Sequence, residues 1–358
     1  MSNFDLYGVL LYTVSAFLFF VATVRAVLPD RRVTDVYRTA EVFLVFLAIA
    51  IASFDISWRP YDMEGDTAVY IDFFNAMNAG QDNPFETFEP GFVGLVRLFG
   101  YFSIGYQSLF YVITFSFLWS YYLLIRAVMG RDSAWVLYVF GVIIFYPFFI
   151  SLTANIIRQG FALSFINIAL VCGVKNYWKR GALFTLIATL FHKSSIVYFP
   201  FFALRRLILK AGVGGVVALL FAVSLASYFS FFKLLVDALF DLLSGYGLVV
   251  NYSDADNIDY LTGFRWDFWV FSSLAIVFLV VLKVIGGELN KRETYLFYVG
   301  AFLAILHIAM FDVAYNDRFG IYAWIFYPIE MAYVIRAVAA NIANGKRRKK
   351  IQDEVAAV

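Results

Sequence analysis

Of 358 residues, 62% are hydrophobic, 20% aromatic and only 15% charged, whereas a typical soluble domain carries about 25% charged residues. That balance excludes a soluble enzyme, a zinc module and a nucleic-acid binder, and at roughly 20 apolar residues per crossing it points to about nine or ten membrane spans. The net charge of +2 is silent as a total, and two histidines with one cysteine offer neither zinc-ligand spacing nor an intrachain disulfide.

The first apolar run, residues 6–27, has Asp5 ahead of it rather than the basic start of a cleaved signal peptide. Arg25, Arg31, Arg32 and Arg38 follow, which by the positive-inside rule puts the N-terminus outside and the first loop in the cytoplasm. A second span, residues 41–58, leads out to a polar segment over 59–105. There Asp66 precedes Thr67-Ala68-Val69-Tyr70-Ile71 as the N-cap of a helix with apolar positions at helical spacing. Residues 92–102 are apolar but too short to cross, so both stretches read as helices at the outer membrane surface. Spans over 107–128, 133–153 and 156–174 come next, the last ending at Lys175, Lys179 and Arg180.

Residues 181–204 are long enough to span, yet Arg180 stands before them and Arg205, Arg206 and Lys210 after, with the polar Phe191-His192-Lys193-Ser194-Ser195 in the middle. Two half-helices dipping in from the cytoplasm satisfy both features, because a broken helix is tolerated only where it lines protein or water. A full tenth span is the rival. Spans over 212–232, 266–285, 295–311 and 319–338 then alternate, with a second outer loop over 233–265 and a basic tail over 339–358 containing Lys346-Arg347-Arg348-Lys349-Lys350.

In this topology 21 of the 28 Lys and Arg residues lie at cytoplasmic ends. Arg59, Arg97, Arg158, Lys193, Lys233, Arg265 and Arg318 are left unexplained. Acidic residues gather outside: Asp55, Asp62, Glu64, Asp66, Asp72, Asp82, Glu86 and Glu89 in or beside the first outer loop, and Asp237, Asp241, Asp254, Asp256, Asp259 and Asp267 in or beside the second. The expected fold is an all-α polytopic membrane protein, one domain over 1–358, with nine spans and a re-entrant pair (or ten spans), two outer loops carrying surface helices, and an extracytoplasmic working face.

Ionisable groups at membrane depth are costly unless paired or wetted, which makes function their first reading. Arg158, at the outer end of its span, is either a snorkelling side chain or a phosphate clamp, since its forked donors match phosphate oxygens. Arg318, at another outer helix end, either pairs with Asp317 or serves the same purpose. His192 and Lys193 sit at a break whose half-helix N-terminus favours an anion. His307, mid-span and without polar neighbours, reads as core packing, as does Cys172 in its apolar run. No metal cluster is present, and Ser194 and Ser195 have no base to activate them. A general base has to sit at a fixed position to take a proton from a reacting group. Asp66 and Glu89, each opening a surface helix, suit that task better than Asp82 and Glu86 in a Gly/Asn-rich turn. The alternatives are a helix cap for Asp66 and, for Glu89, a brace to Arg97 or Arg158.

Gly65-Asp66 with Tyr70, Phe88-Glu89-Pro90-Gly91-Phe92, Arg158-Gln159 with Ala162, Phe191-His192 with Ser194, and Arg318 with Tyr322 occur in this order over residues 62–322. The set resembles the EpsG family of membrane polysaccharide polymerases, relatives of the Wzy type. The resemblance implies glycosyl transfer on the outer face of the bacterial inner membrane, with a glycan moved from undecaprenyl pyrophosphate onto a lipid-linked repeat unit of a capsule, exopolysaccharide or O-antigen. Asp66 and Glu89 become the catalytic candidates, Asp66 also by a looser likeness to the loop carboxylate of GT-C-type glycosyltransferases. Arg158, Gln159, His192, Lys193, Arg318, Tyr70 and Arg97 become candidates for binding substrate. No cofactor and no nucleic acid are implied; the bilayer, the lipid-linked glycans and the flippase and chain-length regulators of such a pathway are the implied partners. A polyprenyl-phosphate-dependent single-sugar transferase and a transporter or flippase of lipid-linked sugars remain as alternatives.

Overall fold

Apolar runs with no water to satisfy their backbone must fold as helices, and a computed structural model of the chain is helical throughout, with no strand among the residues it describes: 3–27, 35–61, 65–81, 88–130, 133–244 and 262–356. Arg31, Arg32, Asp62, Glu64, Asp82, Glu86, Arg131, Asp254, Asp256 and Asp259 lie outside the described residues. The chain divides into two compact units, Met1–Arg205 and Arg206–Val358.

In the first unit, α1 (Asn3–Val27) and α2 (Asp35–Ser57) are followed by the short α3 (Thr67–Asn78) and α4 (Pro90–Tyr101) in the expected outer segment. α5 (Tyr106–Met129) packs against α2, and α6 (Ser133–Phe145) packs against α1. The stretch read as one span over 133–153 is bent: Pro147, which has no N–H to donate to the preceding turn, starts α7 (Pro147–Ile150) at 63° to α6. α7 runs into a π-helical turn, Ser151–Asn155, before α8 (Ile157–Val174) begins. π-turns interrupt the regular ladder and recur at functional sites.

α9 (Trp178–Thr189) packs on α8 and stops at Leu190, where His192 turns extended (φ −158°, ψ 111°) ahead of a 3-10 turn, Lys193–Tyr198. The chain then folds back through α10 (Phe199–Ala203). A Cβ on Gly181, near the start of α9, would meet the Phe202 ring at 2.5 Å, and Arg205 Nε donates to the Gly173 carbonyl at the far end of α8 (3.1 Å). Both ends of residues 181–204 therefore return to the same end of α8. The segment folds back on itself as a hairpin, the arrangement expected of two half-helices.

The second unit follows α11 (Arg205–Ile208) with α12 (Val213–Tyr228) and α13 (Phe231–Ser244), bent by 76°. α14 (Trp266–Val284), α15 (Lys291–Ala309), α16 (Asp317–Trp324) and α17 (Tyr327–Ala356) complete it, α15 packing on α12, α14 and α16. Asn290 and Glu293 form a capping box at the start of α15, and the expected basic tail continues α17 as helix to Ala356. Among the described residues six helices are long and apolar enough to cross a membrane, or eight if each bent pair is one span. The remaining expected span, 295–311, falls in α15, whose first turn carries Lys291, Arg292 and Glu293.

Candidate functional site

α3 and α4 do not simply float at a surface. Tyr70, Phe73, Phe74 and Phe92 form one buried cluster with Phe110 of α5 and Ile157 of α8. Burial of each large side chain stabilises by roughly 1.5–3 kcal/mol, so α3 and α4 are held by their apolar faces and the polar turns before them have fixed positions.

The first turn is Gly65-Asp66-Thr67. Asp66 stands at the N-cap position of α3, but its side chain makes no capping hydrogen bond; the expected cap is absent. Its backbone N–H donates instead to Asn155 Oδ1 at the end of the π-turn (2.8 Å). Thr67 Oγ1 donates to the Ala154 carbonyl (3.2 Å) and accepts from Arg59 Nε (3.1 Å). Asp66 thus keeps a partly exposed carboxylate on an anchored backbone. Gly65 has φ +95°, and a Cβ there would lie 2.5 Å from Asn155 Oδ1, so the contact needs glycine on two counts.

The second turn is Phe88-Glu89-Pro90-Gly91. Pro90 at the first position of α4 leaves no orphan donor there, and the Gly91 N–H donates to the Leu190 carbonyl at the tip of the hairpin (2.8 Å). A Cβ on Gly91 would meet that oxygen at 2.5 Å. Glu89 consequently reaches under the hairpin: Arg158 Nη1 donates to its Oε2, His192 Nδ1 lies 3.4 Å from its Oε1, and the Lys193 backbone N–H donates to the same oxygen (3.2 Å). Burial pushes the Glu89 carboxyl up, but the hydrogen bond from His192 and the charge of Arg158 outweigh it and hold it at about 2. Arg158 also lies over the Phe88 ring (4.3 Å) and interacts with the Tyr70 hydroxyl.

Four of the five motifs noted in the sequence thus meet at two neighbouring turns, and the chain they belong to is matched by the EpsG family profile over residues 42–351. The chain belongs to the EpsG family. Membership points to polysaccharide polymerisation, a glycosyltransferase-like activity in a multi-pass membrane protein. No curated protein and no solved structure matches the chain.

The remaining EpsG-family candidates are placed as follows. Gln159 is buried in the first turn of α8, and the Lys193 ammonium is exposed at the hairpin tip. Arg97 lies exposed on α4 and enters no ion pair among the described residues, so the brace to Glu89 comes from Arg158 and His192. Arg318 belongs to the second unit, half-buried over the Tyr315 ring (4.7 Å), with Tyr315 itself at φ +57°. Beneath that turn His307 is fully buried as expected, but it is not apolar packing alone: its Nδ1 shares a hydrogen bond with Ser272 Oγ (2.7 Å), which also accepts from Trp324 Nε1 (3.0 Å). Among the described residues no group of His, Cys, Asp and Glu is arranged to hold a metal.

Sequence reasoning missed Arg59, Thr67 and Asn155. Arg59 had one signal, being a basic residue the orientation rule left over. Asn155 had none, since its partner lies 89 residues away.

Proposed function

We propose that this EpsG-family protein polymerises lipid-linked oligosaccharide repeat units, moving a glycan from undecaprenyl pyrophosphate onto an acceptor unit during exopolysaccharide, capsule or O-antigen synthesis. The observation that supports it is the pairing of one partly exposed carboxylate, Asp66, with a neighbouring, partly buried basic cluster around Glu89, both fastened to helix breaks. In this reading the acceptor hydroxyl attacks the anomeric carbon of the donor glycan, the bond to the pyrophosphate oxygen breaks, and Asp66 takes the hydroxyl proton. Charge developing on the pyrophosphate is met by Arg158 and His192, preorganised by Glu89, with Lys193 at the hairpin tip; such donors act most strongly in a poorly hydrated site. Glu89, spent on its three donors, serves as a positioning residue rather than the base. Arg318 binds an anionic part of a lipid-linked substrate from its own unit, Arg97 lines the approach, and the buried Tyr70 and Gln159 support the Arg158 turn from within.

The working face is extracytoplasmic in the bacterial inner membrane, with the N-terminus outside and the hairpin entering from the cytoplasm; flippase and chain-length regulator proteins are the expected neighbours. Deleting the gene tests the reading: surface polysaccharide collapses to single lipid-linked units and is restored by the wild-type chain. Loss of one sugar from each unit would instead indicate a single-sugar transferase, and units trapped on the cytoplasmic leaflet a flippase.

A further inference from the structure

A buried guanidinium needs a reason. Arg59 follows α2, only 4% exposed, and no carboxylate lies within ion-pair distance among the described residues. Burial lowers it to about 9, which leaves it charged at neutral pH. Its guanidinium lies over the Phe110 ring (3.7 Å), and its donors go to Thr67 Oγ1 and to the carbonyls of Ile56 (3.2 Å) and Thr153 (3.4 Å). It therefore ties together the end of α2, the start of α3 and the π-turn. Carrying such a charge into an apolar cluster is costly, whereas a neutral side chain would fill the same space without that cost.

Asn155 faces the same turn from the other side. A regular α-helix through residues 151–155 would not end where this turn does; the π-turn closes with the Ile156 N–H on the Ser151 carbonyl (2.8 Å), and Asn155 meets the Asp66 N–H and the bare Cα of Gly65. One turn further along each helix, Tyr70 (whose N–H donates to the Asp66 carbonyl, 3.1 Å) meets Arg158. The two helix starts run side by side, with Asp66 beside Asn155 and Tyr70 beside Arg158.

We infer that Arg59 and Asn155 are positioning residues: together they latch the Gly65-Asp66-Thr67 turn onto the π-turn, so that the Asp66 carboxylate is presented next to Arg158 rather than swinging with a mobile loop. This rests on Asp66 being the base. A misplacement of about 1 Å at a reacting group costs on the order of 100-fold in rate, so Asn155→Ala lowers the rate of chain extension at saturating lipid-linked repeat unit about 10- to 100-fold, with the half-saturating concentration little changed. Arg59→Lys keeps the charge but loses the fork and gives a smaller fall. Asn155→Asp keeps the acceptor for the Asp66 N–H and sets a second carboxylate beside it; like charges disfavour ionisation, so the acid limb of the pH–rate profile moves up by about one unit. A residue that only held the fold together would not move that limb.

An independent arm reads the latch without chemistry. In a Cys172→Ala background, Asp66→Cys is labelled with a maleimide in membranes, with and without Asn155→Ala. The latch predicts severalfold faster labelling in its absence. Wild-type chain extension in Asn155→Ala at normal membrane level, an unmoved acid limb in Asn155→Asp, or unchanged labelling overturns the inference. Wild-type activity in Asp66→Asn overturns the base reading instead, and labelling then still decides the latch.

Discussion

Asp66 and Glu89 are two carboxylates at the starts of two short helices in the segment between α2 and α5, and each turn touches a helix break through a glycine. They end in opposite states. At Asp66 the backbone is fastened and the side chain is left partly exposed; at Glu89 the side chain is fastened by three donors and buried. A group that must gain and lose a proton suits the first arrangement, and a group that must hold cations in place suits the second. What decides between them is where the anchoring hydrogen bonds are spent.

The contrast is broken most directly at position 66. Asp66→Asn leaves the backbone anchor to Asn155 intact and removes only the proton acceptor, so chain extension falls by about 10² to 10⁴ while the level in the membrane stays normal; wild-type polymer would end the distinction. Arg158→Ala removes the donor that Glu89 holds and lowers chain extension by about 10² to 10³, with Arg158→Lys retaining part of it because charge survives without the fork. Glu89→Gln acts chiefly on stability. It leaves a partly buried guanidinium without its counter-ion, a loss of up to about 3 kcal/mol, read as a lower melting temperature in detergent, with a smaller effect on rate than Asp66→Asn.

The same pair predicts a pH dependence. Because the Glu89 carboxyl is held near 2 in the fold against an ordinary 4.5, its contribution is present above about 4.5 and is lost as pH falls from there toward 2. Wild-type protein is therefore more stable than Glu89→Gln at neutral pH, and the gap closes on acidification below 4.5; a gap that stayed constant down to pH 3 would contradict it. The smallest effects separate the two glycines. Gly65→Ala, forced to φ +95° against Asn155, costs roughly 1–2 kcal/mol in backbone strain and shows chiefly as slower chain extension. Gly91→Ala pushes the Glu89 turn off Leu190 and shows chiefly as a lower melting temperature.

Much of this was readable in the residues. Pro90 and the apolar spacing after Asp66 announce the two short helices, and basic residues on both sides of a polar His192-Lys193 announce a hairpin, because charge and burial each act locally. Pro147 carried the bend in the fourth span, yet an apolar run long enough to cross hid it. Asn155 with Asp66, and Glu89 with His192, were not readable. Such pairs follow from how α3, α4, α8 and the hairpin stack, which no local spacing encodes. Glu89 carried its alternatives in its neighbours, and only the hairpin's return past Leu190 decides for Arg158 and His192 over Arg97.

The hairpin also orders events during synthesis. Glu89 leaves the ribosome 69 residues ahead of Arg158 and 104 ahead of Lys193, and until both have arrived its carboxylate lacks the full set of partners that make burial tolerable. The Glu89 turn therefore stays open while later helices form. Its closure onto the hairpin tip is a late step of assembly, and a nascent chain halted before Lys193 holds α3 and α4 with their partners in α5 and α8 but leaves the Glu89 turn without the hairpin.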